Sequence, residues 1–282
     1  MQKARPIALS KTADNTEILF WRTIQRHYPT YGKIWSSFIG KRDIKGRLFP
    51  YEIEYPKNPS GASDRLYRHW IDATHIHWTV FYHFAGSVNC IRGMGKYQVT
   101  FGLSGEAEHD RRQALFDFWE EAYKWGDHMF GALESMKKWT GDILKYRALM
   151  VPRASVLDFE TFLKSQHGDV YKRWERVFAR VREMRHYFQH QGPWPIYNYY
   201  NTFFIPSYFE IPENEAGNRK KKLSTSTLLD LMTTDRTKRV EMKKELYGNF
   251  IEAISLCELI DRQICTELKR LRKKGYIKVK YP

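Results

Sequence analysis

Three cysteines in 282 residues, Cys90, Cys257 and Cys265, are too few and too widely spaced for a disulfide framework or a zinc ribbon. That usage fits a reducing, cytoplasmic compartment. The first ten residues have no apolar stretch of the kind a secretory signal needs. The most apolar run, Trp70 to Ile91, is broken by Asp72, His75, His77 and His83, so it is a poor membrane span and reads as a buried helix. The chain has no GxxxxGK[ST] phosphate loop, no GxSxG elbow, no Rossmann glycine pattern and no HExxH. No cofactor and no resident metal are expected from these patterns, and no internal repeat is visible.

Charge of one sign is abundant. Lys and Arg number 47 against 32 Asp and Glu, giving a net charge of +15. Such an excess favours polyanions: nucleic acid first, an anionic membrane surface second. An apolar content of 42% with 16% aromatic residues is enough for a packed core, so the composition is not that of a disordered chain.

Apolar spacing predicts mostly helix. A short helix is expected over 14–28, ended by Pro and Gly, then a strand-like stretch from Arg47 to Tyr55 and a loop over 56–63. Asp64 can cap a long helix that Gly93 and Gly95 would end near Arg92. Tyr97, Val99, Phe101 and Leu103 alternate, as in a short strand. A second long helix starts at Ser104. Its stripe is Leu115, Phe118, Ala122, Trp125, Met129, Ala132, Met136, Trp139 and Ile143, in steps of three and four. That rhythm suits shallow helix-on-helix packing. Gly126, Gly131 and Gly141 are expected to break or kink it.

After Val151-Pro152, Ser155 or Asp158 opens a short helix to about Lys164. The next helix, about 169–189, carries Val170, Trp174, Val177, Val181, Met184 and Phe188 on one side. An aromatic arm follows over 193–212, read as a hairpin, and then a polar loop. Thr234 or Asp235 opens a last helix to about Lys274, with Val240, Tyr247, Phe250, Ile254, Cys257, Ile264, Leu268 and Leu271 inward. The expected fold is mainly α: a helical bundle over 64–282 with small β-strand and hairpin decorations, preceded by an extension over 1–63.

Chemistry concentrates at Arg185-His186-Tyr187-Phe188-Gln189-His190. Arginine keeps its charge and offers forked donors to phosphate; histidine can trade protons near neutral pH. The bare Arg-x4-His spacing also occurs at Arg22 and His27, but only Arg185 is followed by a polar His and sits late in an amphipathic helix. Five positions turn a regular helix by about 140°, so the two groups converge only if the last turn deforms, which Gly192-Pro193 would allow.

The stretch Arg185-His186-x3-His190 resembles the Arg-[Asn/Asp/His]-x3-His motif of the HEPN superfamily. The resemblance implies a HEPN-like α-helical bundle and a metal-independent endoribonuclease, often of bacterial defence or toxin–antitoxin systems. It implies a homodimer in which two motifs build one composite site, with Arg185 and His190 catalytic and His186 positioning. A regulatory protein partner or antitoxin is a further implication.

RNA contacts are expected from Lys172, Arg173, Arg176, Arg180 and Arg182, and from the run Arg219, Lys220, Lys221 and Lys222. The basic stretch Lys269 to Lys280 would add sequence-independent affinity. The rings of the arm, from Trp194 to Phe204, stack bases if exposed and pack if buried. Two rival readings stay open. One is a HEPN-like module that binds RNA or protein without cutting. The other is a metal-binding helical enzyme built on His69, His75, His77 and His83.

Overall fold

The stripes that mark buried helix faces are buried. Phe118, Ala122, Trp125, Met129, Ala132, Met136, Trp139 and Ile143 all lie in the core, as do Val170, Trp174, Val177, Val181, Met184 and Phe188. The structure is a computed structural model. It describes residues 26–42, 48–50, 52–54, 63–102, 108–151, 153–155, 157–166, 168–190, 197–199, 202–207, 210–211, 221–222 and 225–280. Most of the helix expected over 14–28, the loop expected after Tyr55, and Arg22 lie outside these residues.

In chain order the helices are α1 (Pro29–Ile34), α2 (Ser63–Gly102), α3 (Glu108–Met150), α4 (Phe159–Gln166), α5 (Gly168–His190), α6 (Thr225–Thr234) and α7 (Met242–Lys273). Short strands decorate them: β1 (Gly40–Arg42), β2 (Leu48–Pro50), β3 (Glu52–Glu54), β4 (Tyr197–Tyr199), β5 (Thr202–Pro206), β6 (Glu210–Ile211), β7 (Lys221–Lys222), β8 (Arg239–Glu241) and β9 (Lys278–Lys280). The fold is mainly α with small antiparallel sheets, as the spacing implied. No helix among the described residues is long and apolar enough to cross a membrane.

Several local expectations are corrected. The stretch expected to be a strand after Lys96 is helical, because α2 runs through Gly93 and Gly95 to Gly102. Alternation over so few residues does not outweigh continuing a helix already nucleated. α3 is likewise unbroken across Gly126, Gly131 and Gly141. Arg26 and His27 are helical and Tyr28 is not, so the expected helix does end before Pro29, which in turn opens α1, as its fixed φ and missing N–H allow at a first turn. Asp235 caps a 3-10 turn at Arg236–Lys238 and not the last helix; its carboxylate accepts from the Thr237 amide at 2.8 Å. Val240 then falls in β8, and Tyr247 is 49% exposed. Asp158 does cap its helix, accepting from the Thr161 amide at 2.7 Å.

Two compact units emerge, each built from separate stretches of chain. The first takes Met1–Tyr82, Leu133–Trp174 and Ala253–Pro282; the second takes His83–Ala132 and Glu175–Glu252.

The first unit is organised around a buried carboxylate. Asp261 on α7 is fully buried and accepts from Tyr28 Oη at 2.5 Å, His77 Nε2 at 2.8 Å and Trp139 Nε1 at 2.9 Å. The bond to Asp261 assigns the proton of a neutral His77 to Nε2. Tyr31 stacks on the His77 ring at 4.6 Å, with Trp139 at 4.4 Å. One turn earlier on α7, Glu258 accepts from the Thr30 amide at 2.8 Å and its hydroxyl at 2.6 Å, so it caps α1 from outside. In this unit β3 pairs with β9, which sets Glu52 and Glu54 opposite Lys280 and Lys278 in register.

In the second unit β4, β5 and β8 form a three-stranded antiparallel sheet, so the expected hairpin is present. Of the arm's rings Phe203 is buried, stacked on Phe118 at 4.3 Å. Trp119 packs on Tyr187 and Phe188.

Removing the Asp261 carboxylate strands three buried donors. Asp261→Ala is expected to cost about 3–5 kcal/mol of unfolding free energy. The exposed Lys145→Ala, in the same unit, should stay within about 0.5 kcal/mol. Denaturant unfolding of the two variants against the native chain checks the contrast.

Candidate functional site

Arg185 lies on α5 within the second unit. The helix is regular to His190, so the expected deformation of its last turn is absent. Positions 185 and 190 are therefore about 140° apart around the helix axis, whereas positions 186 and 190, four apart, share a face. His186 is half-buried. The side chain of His190, with Gly192 and Pro193, lies outside the described residues.

A close helix contact positions Arg185. A Cβ on Gly126 would sit 3.0 Å from the Arg185 Cα, so α3 and α5 approach there because residue 126 has no side chain. Arg185 Nε then donates to Asp127 Oδ1 at 2.6 Å. The guanidinium lies over the Phe130 ring, 4.8 Å from its centroid. Tyr123, one turn before Asp127, donates its hydroxyl to the same carboxylate, which pushes the phenol's pKa up. Among the described residues the two terminal Nη groups of Arg185 have no hydrogen-bond partner, and the side chain is 33% exposed. A guanidinium held at Nε over a ring keeps both Nη donors for an anion.

Next to this cluster, His83 on α2 and His128 on α3 meet with Nδ1 atoms 3.3 Å apart. Each ring lies over a glycine of the other helix. A Cβ on Gly86 would be 2.4 Å from the His128 ring, and one on Gly131 would be 2.7 Å from the His83 ring. Both pKa values are lowered. Burial is the main cause for each, and His83 also feels His128. Asp127 and Glu121 oppose the shift at His128 without cancelling it.

The expected RNA-contact residues divide. Arg176 pairs with Glu252, and Arg180 pairs with Glu245 at 2.8 Å and Glu183 at 3.9 Å, so these two tie α5 to α7. Lys172 and Arg182 are exposed and Arg173 is half-buried. Lys221 and Lys222 form β7 against β6, while Arg219 and Lys220 lie outside the described residues. Lys269 to Lys280 is not a free tail. It comprises the end of α7, a turn and strand β9, with Lys269, Arg270, Arg272, Lys273 and Lys274 exposed. Cations there also suit the negative end of the helix dipole.

Among the described residues the histidines of the rival metal reading do not gather. His77 is locked on Asp261, His75 is exposed against Trp78, and His83 faces His128; the His69 side chain lies outside the described residues. Sequence reasoning missed Asp127, Tyr123, Phe130 and His128. The available signal was glycine inside strong helical stripes, which marks close approach as readily as a break.

No protein-family model matches the chain, nor does any curated protein or solved structure to which it was compared.

The His83–His128 contact has a consequence for pH. A base whose pKa is lowered by folding binds protons more readily unfolded. Its contribution is complete above the unfolded value near 6.5 and is lost as pH falls below it towards the folded value. Among the described residues Asp127 and Glu121 act on His128 and His128 acts on His83, with Arg185 beyond Asp127. Thermal melting should therefore drop from pH 7.5 to pH 5, and drop less in His83→Gln and in His128→Gln. Equal acid sensitivity in all three proteins contradicts this.

Proposed function

We propose that the chain is a HEPN-like, metal-independent endoribonuclease acting as a homodimer in the cytoplasm. The observation that carries the reading is the Arg185 guanidinium, anchored through Nε on Asp127 while its Nη donors are left for a phosphate. The +15 charge supports a polyanionic partner. The regular α5 bears on the geometry: positions 185 and 190 stand about 140° apart around its axis. A second copy supplies the missing side, as the composite site of the resemblance requires.

In this reading a 2′-hydroxyl attacks the adjacent phosphorus and the P–O5′ bond breaks. One His190 takes the hydroxyl proton and the partner's His190 returns a proton to the departing 5′-oxygen. Arg185 carries the charge that builds on the phosphorane oxygens. His186, on the His190 face, positions the phosphate. The products are a 2′,3′-cyclic phosphate and a 5′-hydroxyl. Exposed Lys172 and Arg182 follow the RNA backbone, and a regulatory protein partner or antitoxin restrains the activity.

The purified chain should cut RNA in EDTA and leave cyclic phosphate ends. Arg185→Ala and His190→Ala should each lose about 10²–10⁴-fold in rate, the range for a phosphorane clamp or an acid–base group. Asp127→Asn, which weakens the anchor and leaves the fork, should lose less. RNA binding by every variant with no cutting even by the native chain would make it a binding module. Cutting that stops on chelation and returns with added metal would rule out the proposed chemistry.

A further inference from the structure

We propose that His83 and His128 form a two-histidine site for a borderline divalent transition ion, of the zinc and copper class, that staples α2 to α3 within the second unit. The inference is independent of the ribonuclease reading, and the ion takes no part in that chemistry.

Distance is the first argument. Imidazole nitrogens bind zinc at about 2.0–2.1 Å, so two ligands on a tetrahedral ion stand about 3.3 Å apart. The two Nδ1 atoms are separated by 3.3 Å. Space is the second. The rings come from antiparallel helices and interlock over Gly86 and Gly131, where any side chain would collide with them. Helix-interior glycine costs about 1 kcal/mol against alanine, and here it opens sockets on both sides of one contact.

Protonation is the third argument. A neutral imidazole carries one nitrogen lone pair, whichever tautomer it adopts. Without an ion, one Nδ1 carries a proton and donates to the other. With an ion, that proton moves to Nε2 of the same ring, and both Nδ1 lone pairs face the ion with no net proton released. The field is the fourth. Asp127 and Glu121 both favour positive charge at His128. Asp127 is held by Arg185 and Tyr123, and Glu121 by Lys124 and the Cys90 thiol. Among the described residues no third His, Cys, Asp or Glu joins the pair as a ligand, so water would complete the shell. A site of two nitrogens and water ranks ions in the usual order, copper(II) above zinc.

The test is titration of the full chain with Zn²⁺, and separately Cu²⁺, in chelator-free buffer. One ion should bind per chain. Binding should vanish in His83→Gln and equally in His128→Gln, and persist in the His186→Gln/His190→Gln double variant, whose pair on α5 is the other two-histidine candidate. Zn²⁺ should raise the melting temperature of the native chain and of neither single variant. Should a single variant fail to fold, ¹⁵N spectra of the native chain keep the question open to decision. Zinc should move the Nδ1 resonances of two histidines together. Absence of binding by the native chain, binding unaltered in both single variants, or binding lost only in the His186/His190 variant would each overturn the proposal.

Discussion

Helices α3 and α5 approach at Gly126 because nothing projects from that residue, and the geometry of the candidate site follows from this contact. The Arg185 backbone comes close enough that a Cβ on Gly126 would crowd its Cα at 3.0 Å. At that range the guanidinium reaches Asp127, one residue further along α3, and lies over Phe130 one turn on. The same device recurs between α2 and α3, where Gly86 and Gly131 admit the two histidine rings and a Cβ on Gly93 would stand 2.8 Å from the Glu121 carboxylate. In close-packed interiors a missing methyl group decides which polar groups can meet.

The first unit uses a different solution. Its core holds a carboxylate, and three donors from Tyr28, His77 and Trp139 satisfy it. Breaking such a buried, hydrogen-bonded carboxylate leaves its donors stranded, which is costly. Asp261 and Glu258, three residues apart on α7, together dock the segment from Tyr28 to Thr30. A histidine and an aspartate at 2.8 Å resemble catalytic parts, but both are fully buried, and they fix where α1 begins.

Much of the fold was legible because stripes of three and four residues need no partner to be read. Trp125, Met129, Met136 and Trp139 are apolar in the sequence and fully buried in the structure. Helix ends were less legible. Glycine punctuates a helix in some settings and permits contact in others, and Gly93 and Gly126 belong to the second kind. No element was expected over 225–233, where α6 forms, and the expected start of the last helix is instead a 3-10 turn and β8. β8 exists by pairing with β5, more than thirty residues earlier, which no local pattern records. At the site, Arg185 stood out through its motif, but its anchor did not. Asp127 is 58 residues away and looks like any solvated acid on a helix. The basic stretch after Lys269 read as a tail only because charge pattern says nothing of strand pairing.

The central claim is that the fork of Arg185, held by Asp127, grips a phosphate during RNA cleavage. Single-turnover cutting of a labelled RNA in EDTA by Arg185→Lys tests it most directly, since lysine keeps the charge and loses the fork and the Nε anchor. The account requires Arg185→Lys to be nearly as slow as Arg185→Ala. Cutting at the native rate by the lysine variant would contradict it.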